Sequence, residues 1–203
     1  MSWQVDYAHT PIQFAVRHMM ISTVRGQFEK FKIEAHVDED EINQIHEKET
    51  LTEDDLLNSK LQVQIEAASV NTRDEKRDAH LRSPDFFNAE QYPYLTFQMT
   101  GGKKLDENHG KLFGSLTIRD VTRPITLDVE YLGQAKSPWG TLSAGFSAKT
   151  KINRKEFGLN WNVALETGGV LVGDDVSVDI EIEFTKVPQP VQEPQAAAAV
   201  PAE

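Results

Sequence analysis

Cysteine is missing altogether from the 203 residues. Disulfide frameworks, thiolate metal sites and cysteine nucleophiles are therefore excluded, while the redox compartment stays open. No apolar run approaches the roughly 18 residues that a membrane-spanning helix requires. The first residues, MSWQVDYAHTPIQF, hold no basic stretch followed by an apolar one, so no secretory signal is expected. The expectation is a soluble, cytoplasmic protein with no stable membrane insertion. Basic residues are in the minority: 21 Lys and Arg against 32 Asp and Glu give a formal net charge of -11. Such a surface repels phosphate backbones, so nucleic acid is not an expected partner. Stable binding to anionic membranes is disfavoured for the same reason.

Catalytic signatures are equally scarce. There is no G-x-S-x-G elbow, no P-loop and no G-x-G-x-x-G. His9, His18, His36, His46, His80 and His109 are scattered, and none pair at HxH or HxxxH spacing, so neither a metal nor a cofactor is expected. Ser83 lies near His80 and Asp78, but closeness in sequence is not triad geometry, and helix capping explains Ser83 more simply. Gly101-Gly102 has the composition of a turn between strands.

What the chain does have is period two. Ile12, Phe14, Val16, His18 and Met20 share one parity, as do Phe31, Ile33, Ala35 and Val37, and Leu61, Val63, Ile65 and Ala67. Leu95, Phe97 and Met99 follow, then Leu112 to Ile118, Ile125 to Tyr131, and Leu142 to Ala148. The cleanest run is Val176, Val178, Ile180, Ile182 and Phe184 against Ser177, Asp179, Glu181 and Glu183. Each run is a strand with one apolar and one wet face. About eight such strands must put their apolar faces together, as a sandwich or a closed barrel does. A parallel α/β sheet, apolar on both faces of its strands, is excluded.

Helical material is sparse. Ser83-Pro84-Asp85 resembles an N-cap opening a short helix through Phe86, Phe87 and Ala89. Asn153 is placed to cap a turn through Lys155, Glu156 and Phe157. The acidic stretch EDEINQIHEKETLTEDDLLNSK breaks the alternation and reads as a solvated connection, with Thr52 and Asp55 spaced as a capping box. Residues 188–203 form a Pro, Gln and Ala tail whose composition points to disorder, leaving residues 1–187 as one folded unit. The stretch SVNTRDEKRDAHLRSPDFF gathers Arg73, Arg77, Asp78, His80, Arg82 and Asp85 ahead of two phenylalanines. It suits a salt-bridged strap across a barrel end, or a polar rim where a carboxylate or diphosphate head group meets arginine and histidine donors.

Several motifs in order carry a resemblance. They are W-x-V-D-x-x-H-T at Trp3 to Thr10, F-x-V-R-H-M at Phe14 to Met19 and V-R-G-x-F at Val24 to Phe28. N-T-R-D-E-K-R-D-A-H-L-R-S-P-D-F-F follows at Asn71 to Phe87, and Y-P-Y-L-T-F at Tyr92 to Phe97. Then come G-x-L-T-I at Gly114 to Ile118, T-R-P-I at Thr122 to Ile125, I-N-R-K-E-F-G-L at Ile152 to Leu159 and L-V-G-D-D-V at Leu171 to Val176. Over nearly the whole folded unit the chain resembles the YceI-like family of polyisoprenoid-binding proteins. The departures are the acidic insertion around Glu41 to Lys60 and Asp120, which stands where the family turns on glycine.

The resemblance implies an all-β, closed antiparallel eight-stranded barrel of extended lipocalin-like form with short helical connections. It implies non-catalytic binding, storage or transport of a long isoprenoid, quinone or similar lipid. The expected pore lining is Phe14, Val16, His18, Phe28, Phe97, Leu116, Ile118, Phe146, Val178 and Ile180. The expected head-group rim is Arg17, Arg77, His80, Arg82 and Arg154. Two other functions stay open: a hydrolase or isomerase using His80 and Asp78, and a dry barrel acting through protein contacts. Pairing of two barrels as a homodimer is open as well.

Overall fold

A computed structural model describes residues 2–36, 50–52, 60–166 and 168–187. The acidic insertion, apart from a short strand at Thr50–Thr52, and the 188–203 tail lie outside the described residues. In chain order the strands are β1 (Ser2–Val5), β2 (Ile12–His18), β3 (Ser22–Phe28), β4 (Phe31–His36), β5 (Thr50–Thr52) and β6 (Lys60–Glu66). They continue with β7 (Val70–Asn71), helix α1 (Glu75–Arg82), β8 (Tyr94–Lys104), β9 (His109–Ile118), β10 (Val121–Lys136), β11 (Leu142–Asn153) and β12 (Val172–Val187). Neighbours pair antiparallel in the order β4-β6-β8-β9-β10-β11-β12-β2-β3-β7, with β1 also on β12 and β5 on β8.

The expected closed eight-stranded barrel is corrected to a strongly curled open sheet of twelve strands. Its ladder stops at β4, and the chain itself, through Glu29-Lys30, links β3 to β4 at the gap. One interruption of the chain bears on this edge. Asp6 to Pro11 interrupts the first strand with a 3-10 turn at Tyr7–His9, capped by the Asp6 carboxylate on Ala8 N–H. Tyr7 then reaches the outer edge of β4, where its hydroxyl accepts from Ile33 N–H at 3.1 Å and donates to Ile33 carbonyl at 3.4 Å. A side chain thus stands where a neighbouring strand would.

The alternation places the core as expected. Ile12, Phe28, Ile118, Leu95, Val70 and Phe157 are buried towards one end, and Phe97, Leu127 and Ala148 at mid-height. Two glycines make room for inward rings. A Cβ on Gly114 would lie 2.2 Å from the Phe97 ring, and one on Gly26 2.5 Å from Phe14.

Three local expectations change. Gly101-Gly102 is no turn: it sits inside β8 beside a bulge between Met99 and Gly101. Ser83 closes a helix rather than opening one. Helix α1 precedes it, N-capped by Asp74 through Arg77 N–H, and Ser83 N–H donates to His80 carbonyl at the C-terminus. The helix is polar almost throughout, so no apolar stripe announced it. At the β9–β10 turn, positive φ falls on Arg119 (59°) and not on Asp120. Asn153 caps the 3-10 turn Arg154–Phe157 through Lys155 N–H, as its position implied.

Candidate functional site

The inward faces of the strands enclose an elongated cavity of about 200 Å³ whose exposed wall is apolar. Val176, Val178, Ile180 and Ile182 of β12 line it in succession. Six residue steps at about 3.3 Å each make this wall roughly 20 Å long. That shape suits an extended chain better than a compact molecule.

Bulky side chains gather at both ends. At one, Leu81 of α1, Phe86, Phe87 and Leu159 complete the lining. At the other, Tyr131, Phe146 and Phe184 pack in sequence, with ring centroids 5.2 and 5.9 Å apart. A second groove lies between β1 and β4, but Gln4, Glu34, Lys60 and Gln62 line it among a few apolar groups. Of these two, the interior cavity is the one with a continuous apolar surface.

Of the expected pore residues, Phe14, Val16, Phe28, Phe97, Leu116, Ile118, Val178 and Ile180 line this cavity. His18 and Phe146 do not. His18 ends β2 beyond Val16, paired with Ser22 and Val172, and Phe146 belongs to the aromatic plug. Strand parity assigns a face but not a height along the barrel. Leu81, Phe86, Phe87 and Leu159 were missed because they come from connections, where parity says nothing.

The expected rim residues do not converge. Arg17 points outward and donates to Thr23 hydroxyl at 3.3 Å. Arg77 donates to the Thr72 hydroxyl and carbonyl at 2.7 and 2.9 Å, and Arg82 to the carbonyls of Ala68 and Val70 at 2.8 and 3.1 Å. These bonds strap α1 across the cavity end. Asp78, buried, accepts from Thr72 N–H and hydroxyl, whereas His80 pairs with Asp85 at 2.9 Å and meets the Phe86 and Trp161 rings edge-on. Asp78 and His80 thus have separate partners, and Ser83 hydroxyl donates to His80 carbonyl.

Arg154 alone of the rim set reaches the cavity, and it is only 3% exposed. Its Nε donates to Gly173 carbonyl at 2.9 Å, and its Nη1 to the Leu159 and Trp161 carbonyls. Its Nη2 faces Val172 carbonyl at 3.4 Å and the Asp174 carboxylate at 3.5 Å. A guanidinium has five N–H donors, so all of them have an acceptor. Burial pushes its pKa below the usual value while Asp174 opposes the shift. Arg154 ties Leu159 and Trp161 to the start of β12 at Val172 to Asp174 and has no donor left for a ligand.

The D-x-x-H-T motif forms the joint between β1 and β2. Thr10 hydroxyl donates to Asp6 carbonyl and accepts from Glu183 N–H, and His9 Nδ1 lies 3.0 Å from the Asp6 carboxylate. Asp6, His9 and Glu183 bring ligand-type atoms within 4.8 Å of one another, a cluster that sequence spacing alone did not show. The hydrogen bond to Asp6, helped by Glu183, holds the His9 imidazole above its usual pKa. The same bond holds Asp6 below the usual carboxylate range. The His9 contribution is full below about 6.5 and fades as pH rises through its raised value. The Asp6 contribution is full above the ordinary carboxylate value and fades as pH falls through its lowered one. The pair is therefore strongest in mildly acidic solution. Asp6→Asn, which keeps a capping oxygen, is expected to bring the His9 pKa down in an NMR titration; an unmoved titration contradicts the pairing.

A family model for the YceI-like domain matches residues 3–184. The chain belongs to the YceI-like family. A UPF0312 protein of Staphylococcus aureus strain N315 is 37% identical over 181 residues, covering 89% of this chain and 95% of its own. Its counterpart in Staphylococcus epidermidis strain RP62A is 38% identical over the same shares. Among solved structures, the Campylobacter jejuni YCEI protein is 34% identical, with a TM-score of 0.65 over 93% of this chain and 99% of that one. A polyisoprenoid binding domain from Saccharophagus degradans shares the fold at 14% identity, with a TM-score of 0.56 over 91% of this chain and 98% of that one. The YceI-like motifs map onto the cavity wall, its end cap and the β1–β2 joint.

Proposed function

We propose that this protein binds a long apolar lipid, such as a polyisoprenoid, an isoprenoid quinone or a fatty amphiphile, inside the curled sheet. It stores or moves that lipid without transforming it. The observation that carries this is the elongated cavity with an apolar wall from Val176 to Ile182. Membership of the YceI-like family supports it, and the fold neighbour from Saccharophagus degradans is a polyisoprenoid binding domain. Arg77, Arg82 and Arg154 are engaged by backbone acceptors, so recognition falls to the tail rather than the head group. Chains of similar girth but different heads are then accepted alike.

Burial contributes about 0.8 kcal/mol per methylene-sized group, or about 3–4 kcal/mol per five-carbon isoprene unit before association costs. Titration with prenyl alcohols of increasing length tests the proposal. Affinity is expected to climb steeply with each unit until the roughly 20 Å wall is covered, then level off. An affinity independent of length contradicts binding through the tail.

A further inference from the structure

The tip of the β2–β3 hairpin departs from what a folded surface needs. Met19 and Met20 occupy the three-residue connection with φ of 51° and 62°, a left-handed geometry that hairpin turns ordinarily fill with Asn or Gly. Ile21 follows, and the three are 40%, 58% and 79% exposed. Asn-Gly would relieve the backbone and keep the turn wet, so folding does not explain three consecutive apolar residues here.

Two neighbourhoods give the tip a direction. Met19 N–H donates to Leu171 carbonyl, and Leu171 N–H to the carbonyl of Val163, itself 47% exposed. His18 pairs with Val172, and Val16 and Val172 both line the cavity. The tip thus continues the apolar wall to the outside. On the outer face of the same hairpin stand Arg17 and Arg25, both exposed. Among the described residues neither has a carboxylate within ion-pair distance, in a chain of net charge -11.

We propose that the Met19–Ile21 tip docks transiently on a phospholipid bilayer, where the lipid passes between membrane and cavity. This rests on the cavity holding a lipid. Two or three residues at about 3.3 Å per residue reach the 5–10 Å depth at which interfacial apolar groups settle. Arg17, two residues below the tip, then meets lipid phosphates. Three residues are too few for a stable protein interface, which buries roughly 800 Å² per partner, but suffice for partitioning into an interface.

The test uses the full chain, sedimentation with phosphatidylcholine vesicles, and a dansyl-labelled prenyl alcohol delivered from detergent. The double variant M20E/I21E is expected to bind vesicles at least about tenfold more weakly than the wild type, with probe uptake from detergent unchanged. Trp139, 90% exposed on the β10–β11 turn at the opposite end, is the control, and Trp139→Ala is expected to bind vesicles normally. Vesicle binding retained in M20E/I21E, or lost equally in Trp139→Ala, overturns the proposal. Tip-dependent vesicle binding without any probe uptake supports the docking tip and overturns the cavity reading instead.

Discussion

Replacing Ala148 by phenylalanine is expected to abolish binding of the proposed lipid and to leave the protein folded. Ala148 is 6% exposed at mid-height of β11, where it lines the cavity and packs beside Phe97 and Leu127. Its partners across the ladders are Val129 and Ile180, so the new ring enters space that a ligand chain would fill. Displacing roughly four methylene-sized groups at about 0.8 kcal/mol each removes about 3 kcal/mol of binding, more than a hundredfold in affinity. Filling a cavity is a recurrent route to stabilisation, so Tm is expected to hold or rise. Val178→Phe, on β12, repeats the experiment should the ring at 148 overpack. Lipid content equal to wild type in both folded variants contradicts binding in this cavity.

Arg154→Leu is expected to give the largest loss of stability of any single substitution discussed here. The side chain is held by acceptors from Leu159, Trp161, Val172, Gly173 and Asp174, so one residue closes the loop between the 3-10 turn and β12. Removing the guanidinium strands the buried carbonyls of Leu159 and Gly173, at a cost of about 3–5 kcal/mol. Arg154→Lys restores only part of this, because an ammonium offers three donors from a point and not a planar fork. Chemical denaturation measures both, and a leucine variant within about 0.5 kcal/mol of wild type contradicts the anchoring role. The loop carries Leu159 into the cavity wall, so retention of the lipid is expected to weaken alongside stability.

The sequence made the wall of the cavity legible and left its ends obscure, for a physical reason. Alternation fixes which face of a strand turns inward, and Phe14, Val16, Leu116, Val178 and Ile180 follow from it. It does not fix height, which is why His18 and Phe146 share the inward parity yet lie beyond the cavity. Nor does it show where a strand breaks, since the stitch of Thr10 to Glu183 joins residues 173 positions apart. The cap was harder still. The polar helix Glu75–Arg82 has no apolar stripe, and its arginines take their roles from carbonyls that only folding assembles. Arg154 is among the expected rim residues, but its backbone acceptors carry no side-chain signature in the sequence.

Native mass spectrometry of the freshly purified chain, followed by solvent extraction and identification of what is released, tests the central claim most directly. A stoichiometric adduct that extracts as a prenyl chain, a quinone or a fatty derivative is expected. A bare mass that persists after incubation with excess prenyl alcohols would contradict it and leave the interior as packing alone.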